Sequence, residues 1–202
     1  MSTPDRSACI PLPPELHGDR ILLRPYRADD ADAVFAAIEE SREHLRPWVG
    51  WVDRFTTADE TRDYCVRCAD SWLARSDLFF GIFDIANGLY LGGAGLHTPN
   101  WEKRAFEISC WIRTTAAYQG YGTESLNLLA GLGFGSLQAR QIKLVCDARN
   151  GPTQTMAEKC GYVLRGRVRD GYAAPDGMLV DRLIYSLTPE DWSHRGSETR
   201  FA

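Results

Sequence analysis

The run Ala105-Phe106-Glu107-Ile108-Ser109-Cys110-Trp111-Ile112, followed by Ala116-Ala117-Tyr118-Gln119-Gly120-Tyr121-Gly122-Thr123-Glu124, decides how this chain is read. In the first stretch Phe106, Ile108, Cys110 and Ile112 share one face and Glu107, Ser109 and Trp111 the other, the period of a β-strand. Thr123 to Leu137 then carries a helical period, and Gln141 to Cys146 is again strand-like. Strand, helix and strand in that order make a crossover, which implies a parallel pair inside the sheet. Gly120 and Gly122, one residue apart at the helix entrance, let backbone N–H groups approach a ligand closely. The helix adds its unpaired first-turn donors and the positive end of its dipole, so a pyrophosphate is expected there. No Gly-Lys-Ser/Thr follows, which excludes a Walker-type site, and the third glycine of a dinucleotide fingerprint is missing. Two glycines alone are also compatible with an ordinary strand-to-helix turn.

Outward from this unit, Asp19 to Tyr26 reads as an opening strand and Asp29 to Glu40 as an amphipathic helix. His44 to Trp51 carries Trp48 and Trp51 around Pro47 and Gly50, and Thr57 to Arg75 resumes a helical period. Leu78 to Ile85 and Leu89 to His97 are strands joined at Asn87-Gly88, a dipeptide suited to a tight hairpin. Pro152 to Cys160 reads as a helix, and Tyr162 to Val168 and Asp181 to Leu187 as closing strands. The order β-αα-βββ-α-β-α-ββ predicts an α/β (α+β) fold of three layers, a mixed, mostly antiparallel sheet with helices on both faces. The domain is expected over residues 15–190, with a flexible segment at 1–14 and a tail at 191–202.

The 202 residues suit one domain, and an apolar fraction of 44% with 11% aromatics supplies its core. A net charge of −4 argues against direct binding to nucleic acid. No apolar run approaches the ~20 residues of a membrane span, and Met1 to Pro14 is polar and Pro-rich rather than signal-like. These features predict a cytoplasmic protein without membrane partners; a homodimer stays open. Cys65 and Cys68 form a CxxC pair inside a helical pattern with no second pair or His cluster, so they read as structural and no metal site is expected.

A second motif follows the crossover. Pro152 fits the first turn of a helix, which puts Asn150 and Thr153 at its N-terminal end near the mouth of the parallel pair. Capping is the alternative role for both. Taken together, Gly120-Tyr121-Gly122-Thr123-Glu124 and Asn150-Gly151-Pro152-Thr153 with Glu158-Lys159-Cys160-Gly161-Tyr162 resemble the GCN5-related N-acetyltransferase (GNAT) superfamily. Within it they resemble the RimJ/RimL branch, which acetylates N-terminal amines of ribosomal proteins. Arg20-Ile21-Leu22-Leu23-Arg24-Pro25 resembles that family's first strand and Asp181 to Tyr185 its last. Ala117 stands where the family's phosphate loop begins with Gln or Arg.

The resemblance implies acetyl-CoA as cosubstrate, held by Ile112, Arg113, Gln119, Gly120, Tyr121, Gly122, Thr123, Asn150 and Thr153. The general-acid tyrosine of many relatives falls on Ala157, so Thr153 becomes the candidate to hydrogen-bond the departing thiol, with Tyr118 and Tyr121 behind it. Glu107, on the polar face of the strand leading to the loop, is the candidate base. The branch's second Glu has no clean match, although Asp170 and Tyr172 lie nearby in sequence.

An acceptor amine attacks only when neutral, and an α-amine near pKa 8 is roughly a few hundred times more often neutral at pH 7 than a lysine near 10.4. An α-amine therefore suits a carboxylate base, and the resemblance implies that it is a protein N-terminus, with Trp48, Trp51 and Trp111 walling its cleft, although aromatics so spaced also serve as core. Two rivals remain: acetylation of a small amine such as a polyamine, amino acid or aminoglycoside, and a noncatalytic acyl-CoA-binding module.

Overall fold

The computed structural model describes residues 10–198. It contains β1 (Leu16–His17), β2 (Ile21–Pro25), α1 (Ala31–Leu45), α2 (Ala58–Ala74), β3 (Leu78–Asp84), β4 (Tyr90–Asn100) and β5 (Ala105–Ile112). The chain continues through α3 (Tyr121–Phe134), β6 (Gln141–Asp147), α4 (Gly151–Lys159), β7 (Val163–Ala173), β8 (Leu179–Leu187) and α5 (Pro189–Glu198). The strands form one sheet in the order β1-β2-β3-β4-β5-β6-β8-β7. Every pair is antiparallel except β5 with β6, the two strands joined by the α3 crossover. The expected mixed sheet and parallel pair are therefore present.

Alternation along the strands builds two cores, one on each face. Ile21, Leu23, Phe80, Ile82, Leu96, Phe106 and Ile108 are buried with Leu126 and Leu129 of α3 and Ala157 of α4. On the other face Val34, Ala37 and Ile38 of α1 and Cys65 and Cys68 of α2 pack with Tyr26, Phe83 and Tyr90. Cys65 and Cys68 are buried hydrophobes whose thiols burial pushes up to about 12 and about 11. No helix among the described residues is long and apolar enough to cross a membrane.

Helix starts follow local chemistry. Thr57 and Glu60 cap α2 reciprocally, each side chain accepting the other's backbone N–H. Asp30, just before α1, grips Arg24 of β2 through two bonds of 2.6 and 2.8 Å and accepts the Arg27 N–H at 2.7 Å. α3 begins two residues earlier than expected because Gly120 takes φ 88, and it stops at Phe134, short of Leu137, where Gly135 leaves helical geometry. The β3–β4 loop is wider than a two-residue turn. Asp84 and Leu89 close it by hydrogen bonding, and of Asn87 and Gly88 only the glycine has positive φ.

β1 and α5 are additions to the expected order. The tail expected from residue 191 is helical as far as Glu198, while 199–202 lie outside the described residues. The segment expected to be flexible also falls partly outside them, at 1–9; Ile10 and Leu12 pack against the α3-side core.

Candidate active site

β5 and β6 pair only at Ala105–Gln141, Phe106–Ile142 and Glu107–Lys143. Past that point β5 stays on β4 as far as Ile112 and β6 stays on β8 as far as Asp147. The two strands consequently splay, and a cleft of about 620 Å³ opens between them. The hydrogen bond from Arg113 N–H to the Leu91 carbonyl fixes which peptides of β5 face β4. Antiparallel alternation then turns the peptide groups of Ile108, Cys110 and Ile112 the other way, toward the strand that has left. An extended ligand carrying amides could pair with them.

The open end of the cleft meets two helix N-termini. No side chain caps α3 at Gly120, so the N–H groups of its first turn keep no intrahelical acceptor. A Cβ on Gly122 would stand 2.8 Å from the Met156 sulfur, so the two helices approach here closely enough to favour glycine. Asn150 caps α4 by accepting the Thr153 N–H at 3.1 Å, which fulfils the capping role. Asn150 and Thr153 both line the cleft as well. Ala157, one turn further, is fully buried in the core, so the hydroxyls that α4 brings to this cleft are those of Thr153, in its first turn, and Thr155.

Ile112, Gly120, Gly122 and Thr123 line the same cleft. The other expected cofactor residues are engaged nearby. Arg113 turns to Glu40 of α1 and the Tyr90 carbonyl. The Gln119 side chain donates to the Thr115 carbonyl, and the Tyr121 hydroxyl reaches Asp84 at 3.4 Å. Glu40 also accepts both the N–H and the hydroxyl of Thr115, and Ser41 accepts the Thr114 N–H. The end of α1 thus fastens the segment that leads β5 into the loop. The Arg113 guanidinium, first among these partners, holds the Glu40 carboxyl down at about 2. Arg20, just before β2, braces the loop from its other side through Glu124 and the Gln119 carbonyl.

On the opposite face a second cavity of about 540 Å³ lies between α1, α2 and the sheet, and it meets the cleft at Ser109 and Trp111. Trp48 lines the cleft, Trp51 the second cavity and Trp111 both. The rings of Trp51 and Trp111 meet edge-on at 5.7 Å. Gly93 makes this possible, because a Cβ there would lie 2.4 Å from the Tyr26 hydroxyl and 2.8 Å from the Trp111 nitrogen. Glu107 lies outside both sets of lining residues, opposite His97 on β4. His97 lines the second cavity and stacks on Phe79, and burial lowers its pKa so that the ring is neutral at physiological pH.

His97, Asp147 and Arg182 are lining residues that pattern reading missed. Each sits on a regular strand where nothing local marks it. Asp170 adopts φ 45 beside Asp181, outside the cleft, whereas Tyr172 lines it.

A splayed parallel pair, facing an uncapped helix that begins with glycines, defines a protein that receives an extended anionic ligand through its sheet. The chain belongs to the GNAT family: the model of the acetyltransferase (GNAT) domain matches residues 20–163. It is similar to the uncharacterized N-acetyltransferase p20 of Bacillus licheniformis, 22% identical over 88% of this chain and 98% of that one. In fold it resembles RimL, a ribosomal L7/L12 α-N-protein acetyltransferase solved with coenzyme A, at TM-score 0.81 and 16% identity, over 86% of this chain and 97% of that one. Mycobacterium smegmatis RimJ, solved with a CoA disulfide, gives TM-score 0.78 and 21% identity over 89% and 88%.

Proposed function

We propose that this enzyme moves the acetyl group of acetyl-CoA onto a primary amine, with the α-amine of a protein N-terminus as acceptor. The observation that carries the reading is the splay of β5 from β6 beside the uncapped start of α3. The outward peptides of Ile108, Cys110 and Ile112 suit the two amides of a pantetheine arm, and the N–H groups from Gly120 to Thr123 suit a pyrophosphate. The neighbours solved with coenzyme A support the same ligand.

Acetyl-CoA supplies an activated acetyl group. Thr153, whose backbone N–H the Asn150 cap holds and which lines the cleft, is our candidate to donate its hydroxyl to the departing sulfur, and Trp48, Trp51 and Trp111 are our candidates to wall the acceptor on the opposite side. Glu107 is our candidate to take the ammonium proton through water, since it lies outside the cleft lining. His97 favours a second reading of that step, because it is neutral and lines the cavity that meets the cleft at Ser109. We place the activity in the cytoplasm, on the strength of the ribosomal-protein acetyltransferases among its structural neighbours.

The test is an acceptor screen with acetyl-CoA, following CoA release and product mass. Peptides with free N-termini should be acetylated, and the same peptides blocked at the terminus but carrying lysine should not. Acetylation confined to polyamines or aminoglycosides would move the acceptor assignment to small amines. Absence of CoA release with every amine would make the chain a binding module.

A further inference from the structure

Successive residues of β8 face opposite sides of the sheet. Leu183, Tyr185 and Leu187 enter the core under α3 and α4, and the Tyr185 hydroxyl donates to Glu158 of α4 at 3.2 Å. Arg182 therefore faces the other side, and it lines the cleft together with Tyr172. Its guanidinium carbon stands 4.2 Å from the centre of the Tyr172 ring, and its Nε is buried without a hydrogen-bond partner. Asp147, opposite Arg182 in the β6–β8 register, pairs with Arg149, as does Asp176, and Asp181 pairs with Arg167. No carboxylate among the described residues forms an ion pair with Arg182.

A guanidinium partly withdrawn from water, whose cross-strand neighbour Asp147 is bonded to Arg149 instead, has donors left to satisfy, and its planar fork matches a carboxylate through two parallel bonds. The ring of Tyr172 fixes the plane of that fork and leaves its edge for a ligand. The phosphates of a CoA ligand belong at the N-termini of α3 and α4, helices packed on the Leu183 and Tyr185 face, whereas Arg182 reaches the same cleft from the other face of β8, so they do not account for it. We infer that Arg182 receives a carboxylate carried by the acceptor, close to the amine that is acetylated. This rests on the acetyl-transfer reading above.

Two sources of that carboxylate are separable with matched acceptors. One pair is phenylalanine and phenylalaninamide; the other is a tetrapeptide amide with glutamate at its second position and the same peptide with glutamine. Amidation of phenylalanine also lowers the pKa of its amine, which works against the expected preference. Wild-type enzyme should favour the carboxylate member of at least one pair by about tenfold or more in kcat/KM, the scale of a charge-assisted hydrogen bond. Arg182→Gln should bring that ratio near one, and Arg182→Lys should restore only part of it. Half-saturation by acetyl-CoA should not follow the same order.

No preference in wild type, a preference that survives in Arg182→Gln, or a rise confined to the KM for acetyl-CoA would each overturn the inference. The acetylated forms of the same pairs are titrated calorimetrically onto the CoA complex in parallel. If no amine turns over, the transfer reading fails, whereas the carboxylate inference still stands or falls on whether binding discriminates within each pair and whether Arg182→Gln abolishes it.

Discussion

At the scale of single residues, the account turns on what Thr153, Glu107 and His97 do. Asn150 supplies the cap of α4 through its own side chain, so Thr153→Ala removes a hydroxyl without removing that cap. Turnover should fall by about 10- to 100-fold while KM for acetyl-CoA stays within about twofold, since a bond gained as the thiol departs belongs to the transition state. Unchanged turnover with a lowered melting temperature would leave Thr153 as part of the helix start only. The base is decided by pH–rate profiles. Glu107→Gln should lose most activity at low pH and recover as the amine deprotonates by itself; if its profile matches wild type while His97→Gln shows that pattern, the proton goes to the imidazole. His97 is depressed below its ordinary value, chiefly by burial, so its limb in the wild-type profile should lie on the acid side of an exposed histidine's.

Elements show what the sequence could and could not disclose. Strict alternation from Ala105 to Ile112 and the helical period after Gly120 were both legible, and together they located the cleft. The splay was not, because it depends on β4 and β8 holding β5 and β6 apart, and no local pattern encodes a neighbour's neighbour. The same holds for Arg113, which is drawn to Glu40 from 73 residues away. By contrast α5 was legible and missed: Thr188 and Asp191 cap each other around Pro189, a helix-start pattern written in the sequence. The brace between α1 and the segment entering α3 carries a prediction of its own. The Glu40 carboxyl is depressed from 4.5 to about 2, so its contribution to stability is complete above pH 4.5 and fades as pH falls toward 2. The stability difference between wild type and Glu40→Gln, measured by denaturant unfolding, should therefore be largest near neutral pH and shrink between pH 5 and pH 3. A difference that does not change over that interval would show that the ion pair adds nothing. Loosening the same brace should also raise KM for acetyl-CoA.

Over the whole molecule, three residue pairs join the two halves of the sheet across β5 and β6, and the continuous core beneath α3 and α4 does the rest. Leu126 is fully buried in that core with side chains from β2, β3, β4, β5, β6 and β8. Leu126→Ala should cost about 2–5 kcal/mol and shift one cooperative transition in denaturant; two transitions, of which only one moves, would mean that the halves fold separately. That core lets the sheet stay open in its middle without coming apart, and the opening is the functional claim. The most direct test is a calorimetric titration of acetyl-CoA into the wild-type protein and into Gly122→Glu, with circular dichroism confirming that both are folded. The variant places bulk and negative charge where α3 meets the cleft. The account predicts saturable one-to-one binding by wild type and affinity weakened by at least about tenfold in the variant. Equal affinity in the two folded proteins would contradict it.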